Sequence, residues 1–241
     1  MQDLAFFALA VVAGAVAGVS GFGIGSLLTP ALAVSIGTRL AVGVVAIPHI
    51  VATSLRLWML RDAVDRHVLM TFGLASAGGG LSGGIAHAFV GSSVLSVVLG
   101  LLLVFAGLSE LSGLARRLRF EGRRAIAAGA LSGLFGGLVG NQGGIRAAAL
   151  LAFPLNREAL VATATATGLL VDVARMPIYL ATDGPAIGAM LPTAAVMTVG
   201  AVVGTVLGTP VLRRLPEAWF RRLLAALLVA LGIVLIAGIG R

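Results

Sequence analysis

Two short glycine-rich stretches interrupt otherwise apolar sequence, and both carry groups that could bind an anion. The clearer one is GGLVGNQGG at Gly136–Gly144, followed by Arg146, and the other is GFGIG at Gly21–Gly25. A helix that breaks inside a bilayer leaves backbone groups without partners unless the break is packed in protein or lines a wet cavity. A half-helix that begins at a break directs free N–H groups and the positive end of its dipole at the gap. Two breaks that face each other therefore predict an anion-binding site.

The candidate substrate-binding residues lie in these two breaks and on the spans around them. They are Gly21, Phe22, Gly23, Gly25, His49, Gly140, Asn141, Gln142, Gly143, Gly144, Arg146 and Thr163. The amides of Asn141 and Gln142 donate and accept hydrogen bonds, which suits an anion that carries oxygens. The competing interpretation is that the glycines only allow close helix packing and that the amides tie the two breaks together. For the other glycines, at 78–84 and 200–208, packing is the favoured interpretation.

Two ionisable side chains in these stretches allow two interpretations each. Arg146 could pair with a bound oxyanion, or it could extend along the protein to the membrane surface. His49 lies near the middle of a span, next to Pro48, and an intramembrane ionisable residue is a functional candidate. His49 could relay protons, which would make protons the coupling ion, or it could be a neutral ring bonded to a carbonyl.

Other polar side chains within the spans favour structural roles. Thr163, Thr165 and Thr167 could line the pathway, but hydrogen bonds back to their own helix are favoured. Asp172 and Arg175 lie three residues apart, a spacing that predicts an ion pair within one helix. Three basic residues are expected at the ends of their spans: Arg56, His67 and His87.

The composition places the chain among polytopic helical membrane proteins. Hydrophobic residues make up 59% of the 241 residues, charged residues 11%, and the mean hydropathy is +1.09. Cysteine is absent, which excludes disulfides and thiolate catalysis. The net charge of +8 comes from arginines that lie mostly in the loops between the spans. The positive-inside rule explains this distribution better than nucleic-acid binding does. No pattern predicts an enzyme, a metal site or a cofactor.

The apolar runs divide the chain into two similar halves. A first repeat at 1–109 and a second at 125–241 are joined by a basic linker at 110–124, which is expected in the cytoplasm. Each repeat is predicted to hold one broken hairpin, at 4–35 and from about 125 to 153. The six predicted spans cover 40–60, 67–88, 93–108, 157–181, 186–211 and 223–239, with a turn at Asp183–Pro185.

The two halves also match each other in sequence. Glycines around the first break recur around the second at an offset of 115, which becomes 120 after about five extra residues. With the basic loops inside, the odd number of crossings in the first repeat inverts the second. The expected fold is an all-α polytopic membrane protein of two inverted repeats, each a re-entrant helical hairpin plus three transmembrane helices. Broken helices that meet between inverted repeats are typical of secondary transporters.

Three segments resemble one known family. GVSGFGIGSLLTPAL at 18–32, GLFGGLVGNQGGIRAAALLAF at 133–153 and NREALVATATATGLLVDVARMPIYL at 156–180 are similar to the sulfite exporter TauE/SafE family of membrane permeases. The resemblance covers nearly the whole chain. The chain differs at Asn141–Gln142, where more glycine is usual, and at Ala149–Leu150, where a proline often stands.

The resemblance implies a permease of the bacterial inner membrane that moves small anions, often sulfite or organosulfur compounds and commonly outward. Together with the predicted fold it favours a secondary transporter that works by alternating access around the two breaks, with the lipid bilayer around it. A homo-oligomer is compatible with this interpretation. The alternatives are a passive anion channel of the same fold and a non-transporting membrane subunit of a larger complex.

Overall fold

The protein is built from helices packed side by side. The computed structural model describes residues 2–113, 122–151, 153–208, 210, 214 and 216–238, and this part of the chain contains no strand. The main helices are α1 (Gln2–Ser20), α2 (Ile24–Ile36), α3 (Thr38–Leu60), α4 (Leu74–Phe89), α5 (Ser92–Ser112), α6 (Arg123–Val139), α7 (Gly143–Leu150), α8 (Arg157–Ala189), α9 (Leu191–Val203) and α10 (Glu217–Ile236). Short π-helical segments, Leu69–Gly73 and Gly204–Gly208, precede α4 and follow α9.

The lengths and the composition of the helices fit a membrane protein. Within the described residues, six helical segments are long and apolar enough to cross a bilayer. They are Asp3–Ser20, Thr38–Ala63, Arg66–Phe89, Ser92–Ser112, Arg157–Ala189 and Leu191–Gly208. Large apolar side chains, among them Leu101, Leu108 and Val199, remain exposed on their outer faces, as lipid contact requires. The prediction of an all-α polytopic membrane protein is confirmed.

Both predicted breaks are present. The first separates α1 from α2 at residues 21–23, and the second separates α6 from α7 at residues 140–142. Glycine is required there because the backbone adopts positive φ at Gly21 (77°), Gly23 (144°) and Gly140 (72°). The break positions predicted from the sequence are therefore correct.

Glycines also determine how closely the helices approach one another. A Cβ at Gly83 of α4 would collide with the Leu134 carbonyl of α6, and a Cβ at Gly204 would collide with the Val11 carbonyl of α1. Small residues allow this approach between membrane helices. The interpretation as packing residues is confirmed for these glycines, but not for Gly78, where an added Cβ meets nothing within 4 Å.

Helices α3 and α8 cross antiparallel at the centre of the molecule. Arg39 of α3 contacts Asp183 near one end of α8, and Arg56 contacts Thr165 nearer the other end. We call these the Asp183 end and the Arg61 end of the molecule. Around this pair, α1 packs on α9, α6 packs on α4, and α5 packs on α10.

The sequence predicts two loops, one at 183–185 and one in the basic linker at 110–124. The predicted turn at 183–185 is a kink, since only Asp183 leaves helical geometry (φ −126°, ψ 16°) and helical turns continue to Ala189. Pro177 and Pro185 lie on either side of it and remove backbone donors. The predicted basic linker falls largely on residues 114–121, which lie outside the described part of the chain.

Candidate functional site

The two breaks contact each other directly. A side chain at Gly25 of α2 would collide with the Gly140 carbonyl, and a Cβ at Gly143 would lie 2.6 Å from the Phe22 ring. The Ser26 hydroxyl donates a 3.0 Å hydrogen bond to Oδ1 of Asn141. The expectation that the breaks face each other is therefore correct.

Helices α2 and α7 both begin at this junction. The first bond of the α2 ladder runs from the Leu27 N–H to the Gly23 carbonyl at 2.9 Å, and that of α7 from the Arg146 N–H to the Gln142 carbonyl at 3.0 Å. The N–H groups that precede Leu27 and Arg146 have no acceptor within their own helices. Each half-helix thus directs its positive dipole end towards the junction.

The helices that end at the breaks are capped by arginine. Nη1 of Arg175 donates to the Gly136 carbonyl at 2.5 Å, and the Tyr179 hydroxyl donates to the Gly137 carbonyl, so both cap α6. Nη2 of Arg146 donates to the Gly21 carbonyl just beyond α1 at 3.1 Å. Cations are stabilised at helix carboxyl ends, where carbonyls lack partners.

A buried carboxylate joins α3 to α8. Oδ1 of Asp172 accepts from Nε and Nη2 of Arg175 at 3.0 and 2.7 Å, which confirms the predicted ion pair. Its Oδ2 lies 2.5 Å from Nδ1 of His49, so a carboxylate and not a carbonyl faces the histidine. Because an ionised carboxylate only accepts, Nδ1 of His49 is the donor in this contact.

Arg56 lies one turn before the end of α3, near the span end as expected, but its side chain is buried in the protein interior. The side chain is only 4% exposed, and its Nε donates to the Thr165 hydroxyl at 3.0 Å. Its Nη1 has no hydrogen-bond partner. The repeat contained the signal, because Arg56 aligns within one residue of Arg175, which sequence analysis placed inside the membrane.

His87 is likewise buried, although it was expected at the membrane surface. Its Nδ1 lies 2.7 Å from the Leu138 carbonyl near the end of α6, and its ring packs against Tyr179. His67 is exposed, as expected.

The other predicted residues take different positions. Gln142 is buried against Gly136, its backbone carbonyl accepts from Ser132, and its Oε1 has no partner. The Thr163 hydroxyl accepts from the Asp65 N–H at 3.0 Å, so it holds a connecting segment and not the cluster around Asp172. Gly144 is the second residue of α7, and its surroundings lie outside the described part of the structure.

Two cavities adjoin these groups. One of about 530 Å³ lies at the Arg61 end. It is lined by Val19, Met59, Leu60, Arg157, Glu158 and Val161. Its wall lies close to the first break, because a Cβ added at Gly21 would lie 3.7 Å from Cα of Val161. A small one of about 10 Å³ lies between α5 and the second break, beside Asn141 and Gln142.

The interior carries more positive than negative charge. Among the described residues, the buried charged side chains are Arg56, Arg146, Arg175 and Asp172. Asp172 is bonded to Arg175, so Arg56 and Arg146 remain without a carboxylate partner. Unpaired charge is costly in a membrane protein, so the arrangement is suited to hold a negatively charged ligand.

Residues 6–235 match the family model described as Sulfite exporter TauE/SafE. The chain belongs to the sulfite exporter TauE/SafE family. No curated protein and no solved structure matches it. Membership confirms the resemblance found in the sequence and identifies a multi-pass membrane protein of a transporter family. Membership in the TauE/SafE family implies a membrane permease or exporter.

Proposed function

We propose that this TauE/SafE protein is a secondary transporter of small anions, sulfite or organosulfur compounds among them. The observation that carries the proposal is the buried excess of three arginines over one aspartate. An anion that enters would neutralise charge that the fold leaves unpaired. The half-helix N-termini at the two breaks would supply further hydrogen-bond donors.

The transport mechanism that we propose is alternating access around the breaks. The Arg39–Asp183 ion pair joins α3 to α8 at one end of the molecule. The 530 Å³ cavity lies at the opposite end, beside the first break. A closed end and an open end are what a transporter in one of its two states requires.

Inverted repeats would supply the two states. In the sequence repeat, α3 corresponds to α8, and α5 corresponds to α10. The helices of each pair pack antiparallel. For α5 and α10, Gly100 lies against Gly232 and Gly107 lies against Ala225. The repeat also relates two other contacts, because it converts the packing of α1 on α9 into that of α6 on α4.

We place the Arg61 end in the cytoplasm of a bacterium and the protein in its inner membrane. Because the chain lacks cysteine, single cysteines at Asp65 and Ser92 test this with an impermeant thiol reagent. Only the cysteine at Ser92 should react from outside.

Protons are the coupling ion in this proposal. His49 is buried near mid-span and bonded to the carboxylate of Asp172. Histidine is the side chain best suited to carry protons near neutral pH, and the hydrogen bond to Asp172 links the ring to the carboxylate that holds Arg175.

Transport by the purified protein in proteoliposomes tests the function. Radiolabelled sulfite, sulfate or an organosulfonate should exchange against the same unlabelled anion, and a pH gradient should drive its accumulation. A passive channel would allow flux without accumulation. Absence of flux for every anion would indicate a non-transporting subunit and would refute the proposal.

A further inference from the structure

We infer that Arg56 and Arg146 together form the binding centre for the transported anion, and that this centre prefers an oxyanion with two negative charges. The inference rests on the proposed function, which it extends to a residue pair and to a substrate charge.

Arg56 has few hydrogen-bond partners for a buried arginine. Its Nε reaches the Thr165 hydroxyl, and its Nη1 has none. A guanidinium carries five N–H donors in a planar fork that matches an oxyanion with two oxygens. An unpaired donor on a fully charged, buried group is costly unless a ligand completes it.

The other two buried arginines differ in whether a carboxylate neutralises them. Arg175 is bonded twice to Asp172 and caps α6 through Gly136. Arg146 bonds to the Gly21 carbonyl, yet its Nη1 also lacks a partner. Arg175 is therefore neutralised within the protein, whereas Arg56 and Arg146 have hydrogen bonds only to uncharged oxygens.

The two incompletely paired guanidiniums lie against neighbouring turns of α8. Arg56 bonds to Thr165, and Nη1 of Arg146 occupies the space over Gly168, where an added Cβ would lie 2.7 Å away. Two like charges that lie against neighbouring turns of one helix repel each other in a low-dielectric interior. An anion bound to both would replace this repulsion with two attractions.

The position also fits a route from the cavity at the Arg61 end. Val161 lines that cavity, and its carbonyl accepts from the Thr165 hydroxyl, which in turn accepts from Arg56. Arg56 is thus one helical turn beyond the cavity wall. The Thr53 hydroxyl, one turn from Arg56 on α3 and also unpaired, is a further donor.

The charge preference follows from the number of buried charges. Arg56 and Arg146 contribute two positive charges, and the only buried carboxylate in the described chain already bonds to Arg175 and His49. A doubly charged oxyanion neutralises the pair, whereas a singly charged one leaves one cation uncompensated.

Thermal stabilisation of the purified protein tests the inference, because a ligand that binds the folded state raises its stability. The probes are sulfate and thiosulfate as dianions and methanesulfonate as a monoanion with three oxygens. Sulfate or thiosulfate should stabilise the wild type at lower concentration than methanesulfonate does. Arg56→Gln should raise the half-stabilising dianion concentration about 10- to 150-fold, which corresponds to the loss of one charge-assisted hydrogen bond.

Two further variants make the result decisive. Arg61→Gln alters an exposed arginine and should leave the response unchanged, since the side chain of Arg61 is 61% exposed. Arg56→Lys keeps the charge and should retain part of the dianion response even if Arg56→Gln does not fold. A wild-type response from Arg56→Gln, or equal stabilisation by methanesulfonate and sulfate, would overturn the inference. Stabilisation by dianions without transport in proteoliposomes would refute the proposed function and leave the binding centre intact.

Discussion

Asp172 is the residue on which the buried polar groups depend. Its two oxygens hold His49 of α3 and Arg175 of its own helix, and Arg175 in turn holds the carbonyl end of α6. A hydrogen-bonded network of this kind is stable in a low-dielectric interior only when each member is paired. Binding or proton transfer at these residues would therefore change the hydrogen bonds at the second break.

The His49 ring is expected to couple transport to protons. Gln at this position can still donate a hydrogen bond to Asp172, but it cannot carry a positive charge. His49→Gln should lose accumulation driven by a pH gradient and retain exchange of labelled for unlabelled anion in proteoliposomes. His67→Gln, which changes an exposed histidine, should behave as the wild type. If His49→Gln accumulates the anion normally, then His49 is a structural residue.

The two amides of the second break should differ in effect, although sequence analysis assigned both to the substrate. Asn141→Ala leaves the Ser26 hydroxyl buried and unpaired, which should lower the free energy of unfolding by about 1–3 kcal/mol. The melting temperature should fall by roughly 2–4 °C for each kcal/mol. Gln142→Ala removes an amide whose Oε1 has no partner in the protein and whose NH2 group can donate to an anion. It should therefore spare stability and raise the half-saturating anion concentration about 5- to 150-fold. Melting curves and transport assays distinguish them. An unchanged melting temperature of Asn141→Ala, or unchanged anion affinity of Gln142→Ala, would contradict this assignment.

At the scale of helices, the breaks could be predicted from sequence and the pairing of side chains could not. Glycine clusters in an apolar run identify a broken helix because only glycine readily adopts the positive φ of Gly21, Gly23 and Gly140. The contact of Arg56 with Thr165 joins residues 109 positions apart. Helical periodicity describes one helix and does not specify the register of another, so the burial of Arg56 and His87 near the ends of their helices could not be predicted.

The starts of α2 and α7 provide a test of the breaks themselves. A side chain at Gly23 would collide with Val16, at a positive φ, and one at Gly143 would collide with the ring of Phe22. Gly23→Leu and Gly143→Leu should therefore abolish transport while part of the protein still reaches the membrane. Gly78→Leu is the control, because an added Cβ there meets nothing within 4 Å. Full transport by both break variants would assign these glycines to packing alone.

At the scale of the whole molecule, α3 and α8 differ at their two ends. At the Asp183 end, Nε of Arg39 lies 3.2 Å from both oxygens of Asp183, next to the kink of α8. At the Arg61 end, residues from the termini of the same helices, Leu60 and Arg157 among them, line the large cavity. A conformational change that opened the Asp183 end would have to break this ion pair.

The ion pair should therefore bias the protein towards the state described here. It is partly exposed, so its contribution is that of a surface pair, about 0.4–1 kcal/mol, or roughly two- to fivefold in the ratio of the two states. Asp183→Asn should raise the reaction rate of a cysteine at Thr29 with an impermeant reagent added from the Asp183 side by that factor. Thr29 is a suitable reporter because it is buried beside Gly140, where only an opening of this end would expose it. Asp62→Asn, which removes a fully exposed pair with Arg61 at the other end, is the matched control. Equal reaction rates in the two variants would mean that the Arg39–Asp183 pair does not hold this end closed.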